Sequence, residues 1–254
     1  MLGWLRKRGA ARPIPDPLWN GVLGRYPFLA ALPQDERARL RELAARFLAS
    51  KEFYGAQGFV ITDEVALSIA AQAVLPVLNL GLQWYDDFVG IVVHREQVLA
   101  RRITTDESGV VHQWDEVLAG EAMDRGPVML SWRDVEESGA TAPQGYNVVI
   151  HEFAHKIDMR DGNPDGCPPM PSAAARRAWQ ATLRAEYEAF REKVIVAERF
   201  GAEAQWLDAY GASAIDEFFA VACEAYFVNR DRFKVEFPAL VQLFDPLFRI
   251  GKRT

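Results

Sequence analysis

His151-Glu152-Phe153-Ala154-His155, preceded by Asn147-Val148-Val149-Ile150 and followed by Lys156-Ile157-Asp158, decides how this chain is read. The stretch fits a mostly buried helix from Asn147 to Asp158. The Asn147 side chain is placed to accept from a free N–H of the first turn. Two histidines four residues apart on a helix share a face, so their imidazoles can converge on one ion. This H-E-x-x-H spacing suits a metal, usually zinc, with Glu152 rotated off the histidine face to take a proton from a water on the metal. A five-residue match is a weak signal alone, because it arises by chance in many proteins. Context strengthens it. The chain has only 4 His, and two of them lie here behind an apolar run. Two His and a Glu on a buried helix are costly unless something partners them.

Composition sets the class. The 254 residues, 50% hydrophobic and 25% charged, suit a soluble globular protein with a sizeable core. A net charge of -6 disfavours a broad nucleic-acid-binding surface. Cys167 and Cys223 make no disulfide framework, which fits a reducing, cytoplasmic setting. Met1 to Pro17 carries Arg6, Lys7, Arg8 and Arg12 with no apolar run behind them, so no secretory signal is read there. Residues 1–32 are expected to be a flexible arm and lead-in to a single domain over residues 33–254. The weakly polar run from Val65 to Leu82 contains Gln72, Pro76, Asn79 and Gly81. It reads as a buried helix ending near Pro76, not as a membrane span.

Periodicity supplies the other elements. Pro33–Ser50 is amphipathic, with Leu40, Leu43, Ala44, Phe47 and Leu48 at helical spacing. Thr62–Leu75 is a second helix. Asp87–His94, Val98–Ile103, Val110–Trp114 and Val128–Trp132 read as strands. Glu136–Gly145, with Ser138, Gly139, Thr141 and Pro143, reads as a loop, as does Asp161–Pro169. Ala173–Phe200 resumes as helix. Ser213–Val228 follows, with Ser213 and Asp216 in capping-box-like positions. Phe233–Ile250 closes the chain as helix broken at Pro238 and Pro246. Strands gather before the motif and helices after it, which predicts an α+β fold: a small mixed sheet, the motif helix, then a mainly helical part.

A catalytic zinc takes three protein ligands and leaves a position open. A metzincin would need Gly and then His where this chain has Asp158 and Asp161, so that class is excluded. No His follows His155. The third ligand is then a carboxylate or lies upstream; the apolar helix Ser213–Val228 offers Asp216, Glu217 and Glu224, the last two seven residues apart and on one face. One can ligate while the other orients a ligating histidine; composition does not choose between them.

Asn147-Val-Val-Ile-His151-Glu-Phe-Ala-His155-Lys-Ile-Asp158, with Tyr210 and Glu217-Phe218-Phe219-Ala220-Val221 downstream, resembles the Mlc titration factor A family. Lys51-Glu52-Phe53, Ile69-Ala70-Ala71-Gln72-Ala73 and Leu130-Ser131-Trp132 are similar to it too. The resemblance runs from about Pro33 to Phe248. It implies a cytosolic zinc peptidase of the gluzincin type, zincin-like, with a catalytic core related to anthrax lethal factor and aminopeptidase activity on small peptides. It also implies the glucose-responsive repressor Mlc as a partner. Residue by residue, it places the third zinc ligand on Glu217 beside His151 and His155. Glu152 is then the catalytic base, and Tyr210 lies near the substrate oxyanion. Val128–Trp132 is expected to pair with an extended peptide. A purely structural zinc would need a fourth protein ligand, and none is evident. The other reading is a regulatory metalloprotein that sequesters a partner, with peptidase activity secondary.

Overall fold

The computed structural model describes residues 11–105 and 111–248. Met1–Ala10, Val110 and Arg249–Ile250 fall outside that range, together with what was expected of them. The chain opens with helices α1 (Asp16–Arg25), α2 (Pro27–Ala30) and α3 (Gln34–Ser50), then strand β1 (Glu52–Gly55) and helix α4 (Asp63–Ala73). Strands β2 (Gly90–His94), β3 (Val98–Thr105), β4 (Val111–Leu118), β5 (Gly120–Ala122) and β6 (Val128–Ser131) follow. Helices α5 (Trp132–Thr141), α6 (Val148–Asp158), α7 (Ala173–Phe200), α8 (Ile215–Val228), α9 (Arg230–Glu236) and α10 (Pro238–Phe248) complete it.

The sheet has the order β1-β2-β6-β5. β1, β2 and β6 are parallel, and β5 runs antiparallel to β6. β3 and β4 pair separately as an antiparallel ribbon. This is the expected α+β arrangement, with a small mixed sheet ahead of the motif helix and a mainly helical C-terminal part. Ile91 and Val93 of β2, and Val128 and Leu130 of β6, alternate into the core as period-two strands require. Helix α6 packs against β5, β6, α4 and α8. Phe153, on the side of α6 away from the histidines' cleft, is fully buried against Phe47, Tyr85 and Phe88. The run 65–73 is entirely buried as α4, capped by Thr62, whose hydroxyl accepts from Val65 N at 3.2 Å. Among the described residues, no helix is long and apolar enough to cross a membrane.

Three expectations need correction. The segment read as a flexible arm is helical from Asp16 and packed: Ile14, Trp19, Val22, Tyr26 and Leu29 are core residues, and the Tyr26 hydroxyl donates to Val135 O. Pro17 sits in the first turn of α1, where a missing N–H costs nothing. The loop expected at Glu136–Gly145 is largely helix α5. Ser131 caps it, and Ser138 bonds back to Asp134 O. Tertiary packing overrides the turn-forming residues there, and Gly139 has a packing reason. A Cβ at Gly139 would lie 2.0 Å from the carbonyl oxygen of Arg25. Finally, α8 starts at Ile215 without a side-chain cap; the Ser213 hydroxyl instead donates to Tyr210 O at 2.7 Å, closing the preceding turn.

Gly139→Ala therefore has a predictable sign. In an open helix the change stabilises by about 1 kcal/mol. Here backbone meets backbone, and overpacking of this kind costs about 1–3 kcal/mol. Chemical denaturation should show a lowered midpoint; a raised one contradicts the packing of α5 on the α1–α2 corner.

Candidate metal centre

Helix α6 is set in place by a chain of buried polar groups. The Asn147 carboxamide accepts from Ile150 N at 2.9 Å, capping the helix, and donates to Gln72 Oε1 at 2.7 Å. Gln72 in turn donates to Ser68 O at 3.0 Å. The backbone N–H of Asn147 donates to the Glu224 carboxylate. The other oxygen of Glu224 lies 2.7 Å from His151 Nδ1. Glu224 is 1% exposed and sits against Nδ1; with a metal bound at the cleft it would keep the imidazole proton on Nδ1 and free Nε2 to ligate.

Three atoms meet at that point. His151 Nε2 lies 3.0 Å from Glu217 Oε2, and His155 Nε2 lies 3.2 Å from the same oxygen. The two Nε2 atoms are 3.2 Å apart. Two ring nitrogens and a carboxylate oxygen converging this closely form a group that could hold a metal ion. Bonds of about 2.0–2.1 Å to a tetrahedral zinc would set ligand atoms roughly 3.3 Å apart, so the spacing fits. Burial opposes ionisation of Glu217, but the hydrogen bonds from His151 and His155 outweigh it and hold its carboxyl well below the usual range. The candidates left open by helical spacing are thus separated in space: Glu217 faces both Nε2 atoms, and Glu224 faces the far side of one ring.

Glu152 lies beside this group, 4% exposed. Burial pushes its carboxyl up to about 7, against the pull of His151 and His155. Tyr210, 44% exposed, sits in the short turn Ala209–Ala212, and its hydroxyl donates to Glu217 Oε1 at 3.3 Å. All five residues singled out in the sequence line one cleft of about 480 Å³. Asp158 does not touch a histidine. Its Oδ2 accepts from Gly166 N at 2.8 Å, which ties the loop after α6 to that helix. Burial pushes its carboxyl up to about 7.

The peptide-pairing strand was misplaced. β6 is interior, flanked by β2 and β5. The strand that edges the cleft is β5, Gly120–Ala122. It is too short to show a period-two pattern, so no sequence signal marks it. Tyr146 and the carboxylates of Glu121, Asp208 and Asp216 also line the cleft, and the described lining residues include no Lys or Arg. None of these carries a motif; the fold alone gathers them.

The family model described as glucose-regulated metallo-peptidase M90 matches residues 1–249. The chain belongs to this metallo-peptidase family. Among its relatives, Mlc titration factor A of Cronobacter sakazakii is 33% identical over 259 residues, covering 100% of this chain and 96% of that protein. Mlc titration factor A of Yersinia pestis is 32% identical, covering 99% and 93%. An uncharacterized protein of Synechocystis is 37% identical over 228 residues, covering 89% and 81%. Membership of a metallo-peptidase family implies a metal ion, and the His-His-Glu group could hold one.

Proposed function

We propose that the protein is a zinc-dependent peptidase acting on small peptides from their free amino end. His151, His155 and Glu217 would hold the zinc, with Glu152 as general base and Tyr210 as a donor to the carbonyl oxygen under attack. The observation that carries this reading is the convergence of two imidazole nitrogens and one carboxylate oxygen beside the buried Glu152. Bound zinc supplies Lewis acidity toward the scissile carbonyl and toward water. Glu152 takes the proton of the attacking water at its carboxylate and delivers it to the leaving amine nitrogen. A carboxyl titrating near 7 suits both halves of that transfer. The Tyr210 hydroxyl exchanges its acceptor on Glu217 for the developing oxyanion. The exposed edge of β5 pairs with the extended substrate backbone.

The charges of the cleft support attack from the amino end. Asp208 and Asp216 line the cleft that holds the metal group, and no Lys or Arg is among the described lining residues. A substrate's α-ammonium finds partners there, whereas a terminal carboxylate meets like charge. Hydrogen bonds to a charged group contribute about 1.5–3 kcal/mol, roughly 10–100-fold in rate constant ratio. Acetylating the amino terminus of a small peptide should lower kcat/KM by that factor. Equal cleavage of free and acetylated peptides would overturn the aminopeptidase reading.

The relatives' name, Mlc titration factor A, favours a second role: engagement of an Mlc-type repressor, with peptidase activity secondary. Repressor binding that survives Glu152→Gln would separate capture from cleavage.

A further inference from the structure

We propose that Gly120 is a positioning residue for the reaction: having no side chain, it lets the edge strand β5 lie against the carboxylate of Glu152 and hold it beside the metal-binding group. This rests on the peptidase reading and adds a residue to it. A Cβ built at Gly120 would lie 2.4 Å from Glu152 Oε1, 2.6 Å from its Cγ and 2.7 Å from its Cδ. All three nearest atoms belong to that one side chain. Among the described residues, Glu152 has no hydrogen bond or ion pair of its own. The wall at Gly120 is therefore what fixes its carboxylate.

The next question is which side would yield to a methyl group. The strand is held at three places. Gly120 pairs with Leu130 across β6, and Ser131 N donates to Ala119 O at 2.7 Å. The turn after β5 is clamped from the motif helix itself. Lys156 is fully buried, with Nζ 4.5 Å from the Phe88 ring centroid, and it donates to Gly126 O at 2.8 Å and to Met123 O. The strand is thus held to β6 along its length and to the motif helix at the turn that follows it. Glu152 presents side-chain atoms from Cγ outward, which can turn away about its rotatable bonds, and no backbone atom. The carboxylate yields, and the strand stays. Gly120 is not among the glycines with positive φ, so alanine adopts its backbone without strain.

The test is Gly120→Ala in the full chain. Metal content and Tm should match wild type, while kcat falls about 100-fold, the cost of misplacing a reacting group by an ångström. KM should change far less. In the Glu152→Gln background the same substitution should cost no further activity, because the group it displaces no longer acts. Gly21→Ala, on an exposed helix position with nothing within 4 Å, is the neutral control. A crystal structure of Gly120→Ala should show the Glu152 carboxylate moved away from residue 120. Wild-type kcat, an unmoved carboxylate, or an equal loss in the Glu152→Gln background would overturn the proposal. Wild-type protein that cleaves no peptide would refute the peptidase reading instead, and the crystal structure would still decide this contact. If Gly120→Ala does not fold, recovery of Tm in Gly120→Ala/Glu152→Ala supports the contact, and failure to recover overturns it.

Discussion

Glu152→Gln is expected to lower kcat by about 10²–10⁴-fold, the usual contribution of a general base, while metal content stays at the wild-type level. Glutamine matches the shape of Glu152 and cannot accept the proton. It also breaks no hydrogen bond, because the Glu152 carboxylate serves none among the described residues. A stability signature accompanies the loss. Burial raises the Glu152 carboxyl from its ordinary 4.5 to about 7 in the fold. A carboxyl raised in this way costs stability once pH exceeds its unfolded value, and the cost is complete above its folded value. Metal-free Glu152→Gln should therefore equal or exceed the Tm of the metal-free wild type at pH 8, with the advantage fading as pH falls toward 4.5. Steady-state kinetics and thermal melts check both halves. Wild-type turnover by the variant would remove Glu152 from the chemistry.

Glu217→Ala and Glu224→Ala should fail in opposite ways. Glu217 brings one oxygen to within 3.0–3.2 Å of both Nε2 atoms, and its side chain is 20% exposed. Removing it deletes a ligand, so metal affinity should collapse while the fold persists. Glu224 is 1% exposed, and among the described residues its hydrogen bonds are to the far nitrogen of His151 and to the Asn147 N–H. Its loss should weaken metal binding by about 10–100-fold, the usual effect of a residue that orients a ligand. It also strands two buried donors, each worth about 1–3 kcal/mol in stability. Zinc titration should rank Glu217→Ala as the worse binder, and denaturation should rank Glu224→Ala as the less stable. Metal released by Glu224→Ala and retained by Glu217→Ala would reverse the assignment.

Much of this was legible in the sequence because the signals were local. Asn147 before an apolar run gives the cap of α6, and His151 and His155 share a face by helical geometry alone. Thr62 marks α4 in the same way. What was not legible depended on partners distant in the chain. Glu217 and Glu224 lie on one helical stripe, and only their depth beside α6 tells them apart. Ser138 and Gly139 signal a turn locally, but α5 forms because Gly139 lets it seat on the carbonyl of Arg25. Ile14, Trp19 and Tyr26 sit among prolines and glycines that break any periodic pattern, so their burial was invisible. Gly120 lies on a three-residue strand, and its contact with Glu152 exists only in the folded chain.

The central claim is that His151, His155 and Glu217 hold one metal ion and that peptide hydrolysis depends on it. The most direct measurement is elemental analysis of the purified protein, paired with hydrolysis of a small peptide before chelation, after chelation and after zinc is returned. The account predicts one zinc per chain, activity lost with the metal and restored with it, and no stoichiometric metal in His151→Ala or His155→Ala. Full metal content in both histidine variants, or hydrolysis that survives complete metal removal, would contradict it.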